Sequence, residues 1–278
     1  MEQPPVTGNP AGKKSIRLPV LFLPHGGGPC FFMDQSGTWE GMAAYLRGIA
    51  ATLPACPDAI LVMSGHWETV IPAVTSGENP ALIYDYYGFP EHTYRLTYPV
   101  PGSPALATEV RALLTAADIP CALDPERGLD HGVFIPFMLA FDKAAIPVVE
   151  LSLQQDLNPA AELRAGAALE PLRNKNILIV ATGMTYHNLR HFMGRNTVSD
   201  AQSRAFDAWL TAAVEAPASE RNQALRDWEN APGARACHPR EEHLLPLMFA
   251  AGAAGNDAGQ RDYSEAVMGK VLSGFRFG

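Results

Sequence analysis

At 278 residues with 47% hydrophobic and 18% charged side chains, the chain has the composition of a globular protein that folds around one core. A formal charge of -8 with no Lys/Arg cluster excludes a nucleic-acid binder, and no apolar run approaches the ~20 residues needed to span a bilayer. Read in chain order, residues 1–16 form a polar, Pro/Gly-rich flexible tail without the apolar stretch of a secretory signal, and 17–278 form a single catalytic domain. Short apolar runs bounded by turn residues predict strands over Leu18–Leu23, Ala59–Met63, Val70–Thr75, Pro147–Leu153 and Asn176–Ala181. Apolar stripes at a spacing of three to four predict helices over Thr38–Leu53, Ser103–Ala117, Pro159–Arg173, Ser199–Val214 and Glu241–Ala251. This alternation implies an α/β fold, a central largely parallel or mixed sheet flanked by helices. The Tyr/Pro/Gly-rich stretch Asp85–Pro104 reads as a long, functional loop. The four cysteines, Cys30, Cys56, Cys121 and Cys237, have no ligand or disulfide spacing and read as reduced core thiols of a cytoplasmic protein.

The histidines carry the functional signal. Ligands in open α/β sheets bind just beyond the carboxyl ends of strands, and most of the eight histidines lie there. His25 follows the first strand in LFLPHGGGP, where the glycines allow a sharp turn and a close approach to a ligand. His66 follows the second strand in LVMSGHWE, with Trp67 beside it as an apolar wall. His131 opens an apolar helix in GLDHGVFIPFML, and Asp130 is placed to orient its ring. His187 lies at a strand-to-helix junction in ATGMTYHNLRH. His191, four residues on, shares its helix face, but HNLRH lacks the glutamate of HExxH and His191 reads as structural. In HPREEHLLPL, Pro239 signals a helix start, His243 sits on its first turn, and one of His238 and His243 reaches a metal. Imidazole suits Zn, Fe, Cu and Ni alike, so ligand type alone does not choose the ion.

Other catalytic templates are absent. There is no GxSxG elbow and no GxxxxGK[ST] loop, and HGGGP departs from GxGxxG.

Taken in order, HGGGP, SGHWE, LDHGVF, TGMTYHNLR and HPREEHLLPL resemble the class III extradiol ring-cleavage dioxygenases (LigB-like), in particular the DOPA 4,5-dioxygenase subgroup. The resemblance runs from Leu18 to the C-terminus. It implies one α/β domain with the metal at one end of the sheet, His25, His66 and His243 as metal ligands, and Glu242 as the neighbouring candidate for the third position. It further implies His187 as the acid/base or a fourth ligand, and His131 as a second catalytic histidine contacting substrate. Trp67, Phe134 and a lid carrying Tyr84, Tyr86 and Tyr87 would supply flat walls for a small aromatic diol, cleaved with O2. Fe(II) is the active metal by this resemblance, with Zn(II) able to occupy the site as purified. Three neutral imidazoles leave Fe(II) at +2, which a catecholate dianion would balance. A zinc-dependent hydrolase using the same imidazoles, or a non-enzymatic binding protein on the same scaffold, are the competing readings. The oligomeric state is left open.

Overall fold

The computed structural model describes residues 16–33, 37–192 and 196–278; the expected tail, apart from Ile16, lies outside them. Eight strands form one mixed sheet: β1 Val20–Pro24, β2 Ala59–Thr69, β3 Ala73–Thr75, β4 Ala122–Asp124, β5 Val148–Gln154, β6 Ile177–Gly183, β7 Gly259–Val267 and β8 Lys270–Phe277. Their spatial order is β4-β3-β5-β2-β6-β1-β8-β7. The central four, β5, β2, β6 and β1, are parallel, so their carboxyl ends share one edge. β1 and β6 are buried along their whole length, as in sheets covered on both faces.

The covering helices among the described residues are α1 Glu40–Gly48, α2 Pro104–Ala116, α3 His131–Ala140, α4 Pro159–Leu169, α5 Leu189–Phe192, α6 Thr197–Glu215, α7 Ala218–Arg226, α8 Ala234–Cys237 and α9 Leu245–Ala254. Ser103, Asn158 and Asn196 accept backbone N–H groups at the starts of α2, α4 and α6, the caps expected of those residue types. Every residue of α9 is buried. Its packing against α4 depends on Gly166 and Gly252, where an added Cβ would meet the opposing carbonyls of Phe249 and Leu163 at 2.0 and 2.1 Å. The buried guanidiniums of Arg173 and Arg221 donate to the carbonyls of Ala251, Ala253, Ala254 and Gly255. They satisfy groups a helix end leaves unpaired and place positive charge at the negative end of its dipole. These contacts anchor α9, and through it the segment carrying His243.

Several sequence expectations are corrected. β2 does not stop at Met63 but continues through His66 to Thr69, with a pairing irregularity against β5 between Met63 and Glu68. Such bulges redirect side chains beside functional sites without ending the strand. The strand expected over Val70–Thr75 shrinks to Ala73–Thr75, because Pro72 interrupts it and Val70 and Ile71 are exposed in the turn. The helix expected from Glu241 begins at Leu245, where Pro246 occupies the first turn that proline favours; Pro239 starts no helix. Hairpin β7–β8 was not expected, since β7 is mostly polar with only its ends fully buried. Its available signal was the two-residue Met268-Gly269 turn, with both residues at positive φ. All four cysteines are free thiols; Cys30 and Cys237 are core residues, but Cys56 is exposed and Cys121 half-buried.

Candidate active site

The carboxyl edge of the parallel strands gathers five histidines from separate segments. His25 leaves β1 through a turn in which Gly26 and Gly28 have positive φ. His66 lies in the irregular stretch of β2, His131 is the first residue of α3, and His187 follows β6. His243 is carried across the strand ends by the segment before α9, where its carbonyl accepts from the Met184 N–H at 3.0 Å. That approach requires glycine: an added Cβ at Gly183 would lie 2.2 Å from the His243 carbonyl oxygen.

Ligand atoms of His25, His66 and His243 lie within 4.8 Å of one another, and their ring centroids are 4.7–5.1 Å apart. The other nitrogen of each ring has an acceptor beside it. His25 Nδ1 donates to the Gly26 carbonyl at 2.8 Å, and His243 Nδ1 donates to Glu242 Oε1 at 3.0 Å. His66 Nδ1 faces Asp85 Oδ2 at 3.4 Å. With their protons on Nδ1, the three Nε2 lone pairs are free. His25 Nε2 is buried without a hydrogen-bond partner, and His66 Nε2 and His243 Nε2 stand 3.1 Å apart. Two lone pairs facing each other repel; a cation with N–metal bonds of about 2.0–2.1 Å bridges nitrogens at roughly that spacing. Burial drives the imidazole pKa values down, well below the ordinary value for His25 and His243 and to about 4 for His66, with neighbouring histidines adding to the effect. The rings are therefore neutral near pH 7, the form that binds a metal. These residues fit a metal ion.

Two further imidazoles border this trio. His187 stacks on His243 with centroids 3.4 Å apart, and its Nδ1 donates to the same Glu242 oxygen at 3.0 Å. His131 lies 4.0 Å from His66, centroid to centroid, and donates from Nδ1 to Asp85 Oδ1 at 2.7 Å. Burial pushes the Asp85 carboxyl up, but the hydrogen bond and charge of His131 outweigh it and hold the pKa at about 2. Asp130, expected to orient His131, instead accepts from Ser64 Oγ at 2.8 Å. The orienting carboxylate comes from the Tyr-rich loop.

Asp85 was missed because no local motif ties it to a histidine 46 residues away. Glu242 had a visible signal in its adjacency to His243, yet that spacing does not show that one oxygen serves two rings.

The aromatic residues sort differently. Phe134 is fully buried behind Tyr84, and Trp67 packs beneath the Arg127 guanidinium, 4.9 Å from the ring centroid. Tyr86 is edge-on to His131 at 5.6 Å, whereas Tyr87 is 91% exposed and forms no wall. The loop is tied down by Tyr84 and Tyr86, whose hydroxyls donate to the carbonyls of Leu96 and Thr93 at 2.6 Å.

His191 and His238 stay outside the cluster. His238 is fully buried, donates from Nε2 to the Thr185 carbonyl at 3.1 Å, and has its pKa lowered by burial to about 3. Below pH 6.5 the unfolded chain therefore takes up a proton that the folded chain refuses. Stability contributed by this residue is complete above 6.5 and falls by about 1.4 kcal/mol per pH unit down towards 3. Urea unfolding of apoprotein between pH 7 and 5 should show a shallower decline in His238→Gln, which cannot ionise; equal slopes would remove His238 from the effect.

Residues 20–276 match the family described as the catalytic LigB subunit of aromatic ring-opening dioxygenase. The dioxygenase tasH of Hapsidospora irregularis is 35% identical, covering 94% of this chain and 85% of that protein. A 4,5-DOPA dioxygenase extradiol of Beta vulgaris is 38% identical over 73% of this chain and 75% of its own. Its namesake in Escherichia coli K12 is 35% identical over 86% of each. A crystal structure of an uncharacterised Escherichia coli K12 protein superposes with a TM-score of 0.74 at 30% identity, covering 94% of this chain and all of the other. With a match that runs from β1 into β8, the chain belongs to the LigB family of aromatic ring-opening dioxygenases.

Proposed function

We propose that the chain is an extradiol dioxygenase that opens the ring of a catechol, DOPA-like or related, with O2. The metal would be Fe(II), held by His25, His66 and His243, with Zn(II) able to take the same place during purification. The observation that carries this reading is the convergence of three buried or half-buried imidazoles with ligand atoms within 4.8 Å of one another, His25 Nε2 having no hydrogen-bond partner and His66 Nε2 and His243 Nε2 facing each other at 3.1 Å. When bound, Fe(II) supplies Lewis acidity toward the catechol oxygens and the electron exchange that O2 chemistry requires, which Zn(II) does not.

The chain's own residues supply the rest. With Nδ1 hydrogen-bonded to Glu242, His187 offers Nε2 to a catechol hydroxyl, accepts its proton, and returns it as the ring opens. The Glu242 carboxylate stabilises the imidazolium formed in between. His131, fixed by Asp85, presents Nε2 as a second donor or acceptor to the substrate. The two carboxylates also offset positive charge at a centre whose three ligands are neutral. His25 and His243 are 2% and 3% exposed, whereas the side chains of His66 and His187 are 18% and 21% exposed, so substrate enters on their side. Tyr86, backed by Phe134, forms the aromatic surface there, and Trp67, next to His66 in β2, is held by Arg127. Unpaired thiols at all four cysteines accord with a cytoplasmic setting.

The test is anaerobic loading with Fe(II) followed by air and a panel of catechols. A yellow ring-opened product containing both atoms of labelled O2 is expected from catechols and not from non-aromatic diols, and the Zn(II)-loaded protein should be inert. Absence of O2 uptake with every catechol by protein of full iron content would defeat the proposal.

A further inference from the structure

The two carboxylates beside the histidines use their oxygens differently. Glu242 Oε1 alone accepts from both His187 Nδ1 and His243 Nδ1, at 3.0 Å each, while Oε2 has no hydrogen-bond partner and stands 3.6 Å from Arg240 Nη1. Asp85 works on two sides. Its Oδ1 accepts from the His131 backbone N–H at 3.0 Å and from His131 Nδ1 at 2.7 Å, and its Oδ2 faces His66 Nδ1 at 3.4 Å. Glu242 thus hydrogen-bonds one proposed metal ligand and one proposed proton-handling imidazole, and Asp85 hydrogen-bonds His131 while standing at ion-pair distance from His66.

We infer that Asp85 and Glu242 are positioning residues that set the tautomer of four histidines at once, keeping Nε2 of His66 and His243 open for the metal and Nε2 of His131 and His187 open for substrate. The inference rests on the ligand set proposed above. A neutral imidazole has a single N–H, and an ionised carboxylate only accepts, so an acceptor at Nδ1 draws the proton there and frees Nε2.

The unequal use of oxygens makes the two positions respond differently to an amide. In Glu242→Gln, the amide oxygen takes the Oε1 place and still accepts from both rings, while the NH2 takes the place that has no hydrogen-bond partner. In Asp85→Asn, one oxygen cannot serve both sides. It stays with His131, which presents two donors, and the NH2 then faces His66 Nδ1. Two opposing donors are resolved when the His66 proton moves to Nε2, where it blocks the metal.

Zn(II) titrated into apoprotein against a chromogenic chelator reads this directly, without reference to turnover. Asp85→Asn and Asp85→Ala should both weaken binding by roughly 10- to 100-fold, and Glu242→Ala by a similar factor, the usual cost of losing such a partner. Glu242→Gln should bind close to wild type. Nitrogen chemical shifts of His66 in zinc-free Asp85→Asn should report the proton on Nε2, and thermal melts confirm that both amide variants are folded. Wild-type affinity in Asp85→Asn, or Glu242→Gln as weak as Glu242→Ala, would overturn the inference. His25→Ala separates the two levels. If it keeps full affinity, the ligand set itself is wrong; if it loses zinc while Asp85→Asn does not, only the present inference falls.

Discussion

Replacing His187 with alanine is expected to leave the metal in place and catechol binding measurable while turnover falls by roughly 100- to 10,000-fold, the range typical of a lost positioned acid/base. The geometry behind this is the Glu242 bridge: with Nδ1 donating to the carboxylate, the opposite nitrogen is the one that can exchange a proton with substrate. Stacking on His243, with centroids 3.4 Å apart, helps to orient the ring. His187→Gln separates orientation from proton transfer, because an amide hydrogen-bonds but does not accept a proton at neutral pH. It should be as slow as His187→Ala, and the bell-shaped pH profile should lose a limb in both. Loss of metal from His187→Ala as readily as from His66→Ala would make His187 a fourth ligand and move the base role to His131. Unchanged turnover would remove His187 from the mechanism.

The largest effect on the metal should come from His25, His66 and His243. Losing a partner that only orients a ligand costs 10- to 100-fold in affinity, so losing a ligand should cost more than about 100-fold. Each alanine variant should emerge from mild chelation with little metal and little activity, while His191→Ala, which lies outside the cluster, retains both. His25 is the most informative of the three. Its Nε2 is buried with no hydrogen-bond partner, a cost a folded protein accepts when something else satisfies the atom. His25→Ala should therefore lose the metal without destabilising the apoprotein through any broken Nε2 hydrogen bond. Full metal stoichiometry in all three variants would refute the assignment.

The sequence by itself determined the α/β class, most of the central strands and the histidines that the fold gathers. Buried parallel strands are rich in apolar runs, so β1, β5 and β6 were visible to within a residue or two, as were the capped helices α2 and α6; α4 starts at Pro159 as expected but ends four residues early, at Leu169, where a 3-10 turn takes over. Most of the site histidines stood out because they sit beside turn-forming Gly, Pro or Asp residues that mark an expected element end, a local feature, although β2 in fact runs on through His66. Hairpin β7–β8 was hidden because a polar edge strand buries too little to leave an apolar signature. What only the tertiary structure decided is how the histidines are held. Asp85 reaches His66 from 19 positions away in the chain and His131 from 46, and no periodicity encodes a contact made by folding a loop over a sheet edge. Asp130 was the nearer carboxylate to His131, yet the fold gives it to Ser64. Phe134 looked like a pocket wall, but α3 is apolar nearly all round and buries that ring completely, leaving Tyr86 at the edge of the histidines. Local pattern chooses elements because secondary structure is periodic in the chain; tautomer, charge balance and access depend on which distant atoms packing brings within about 3 Å.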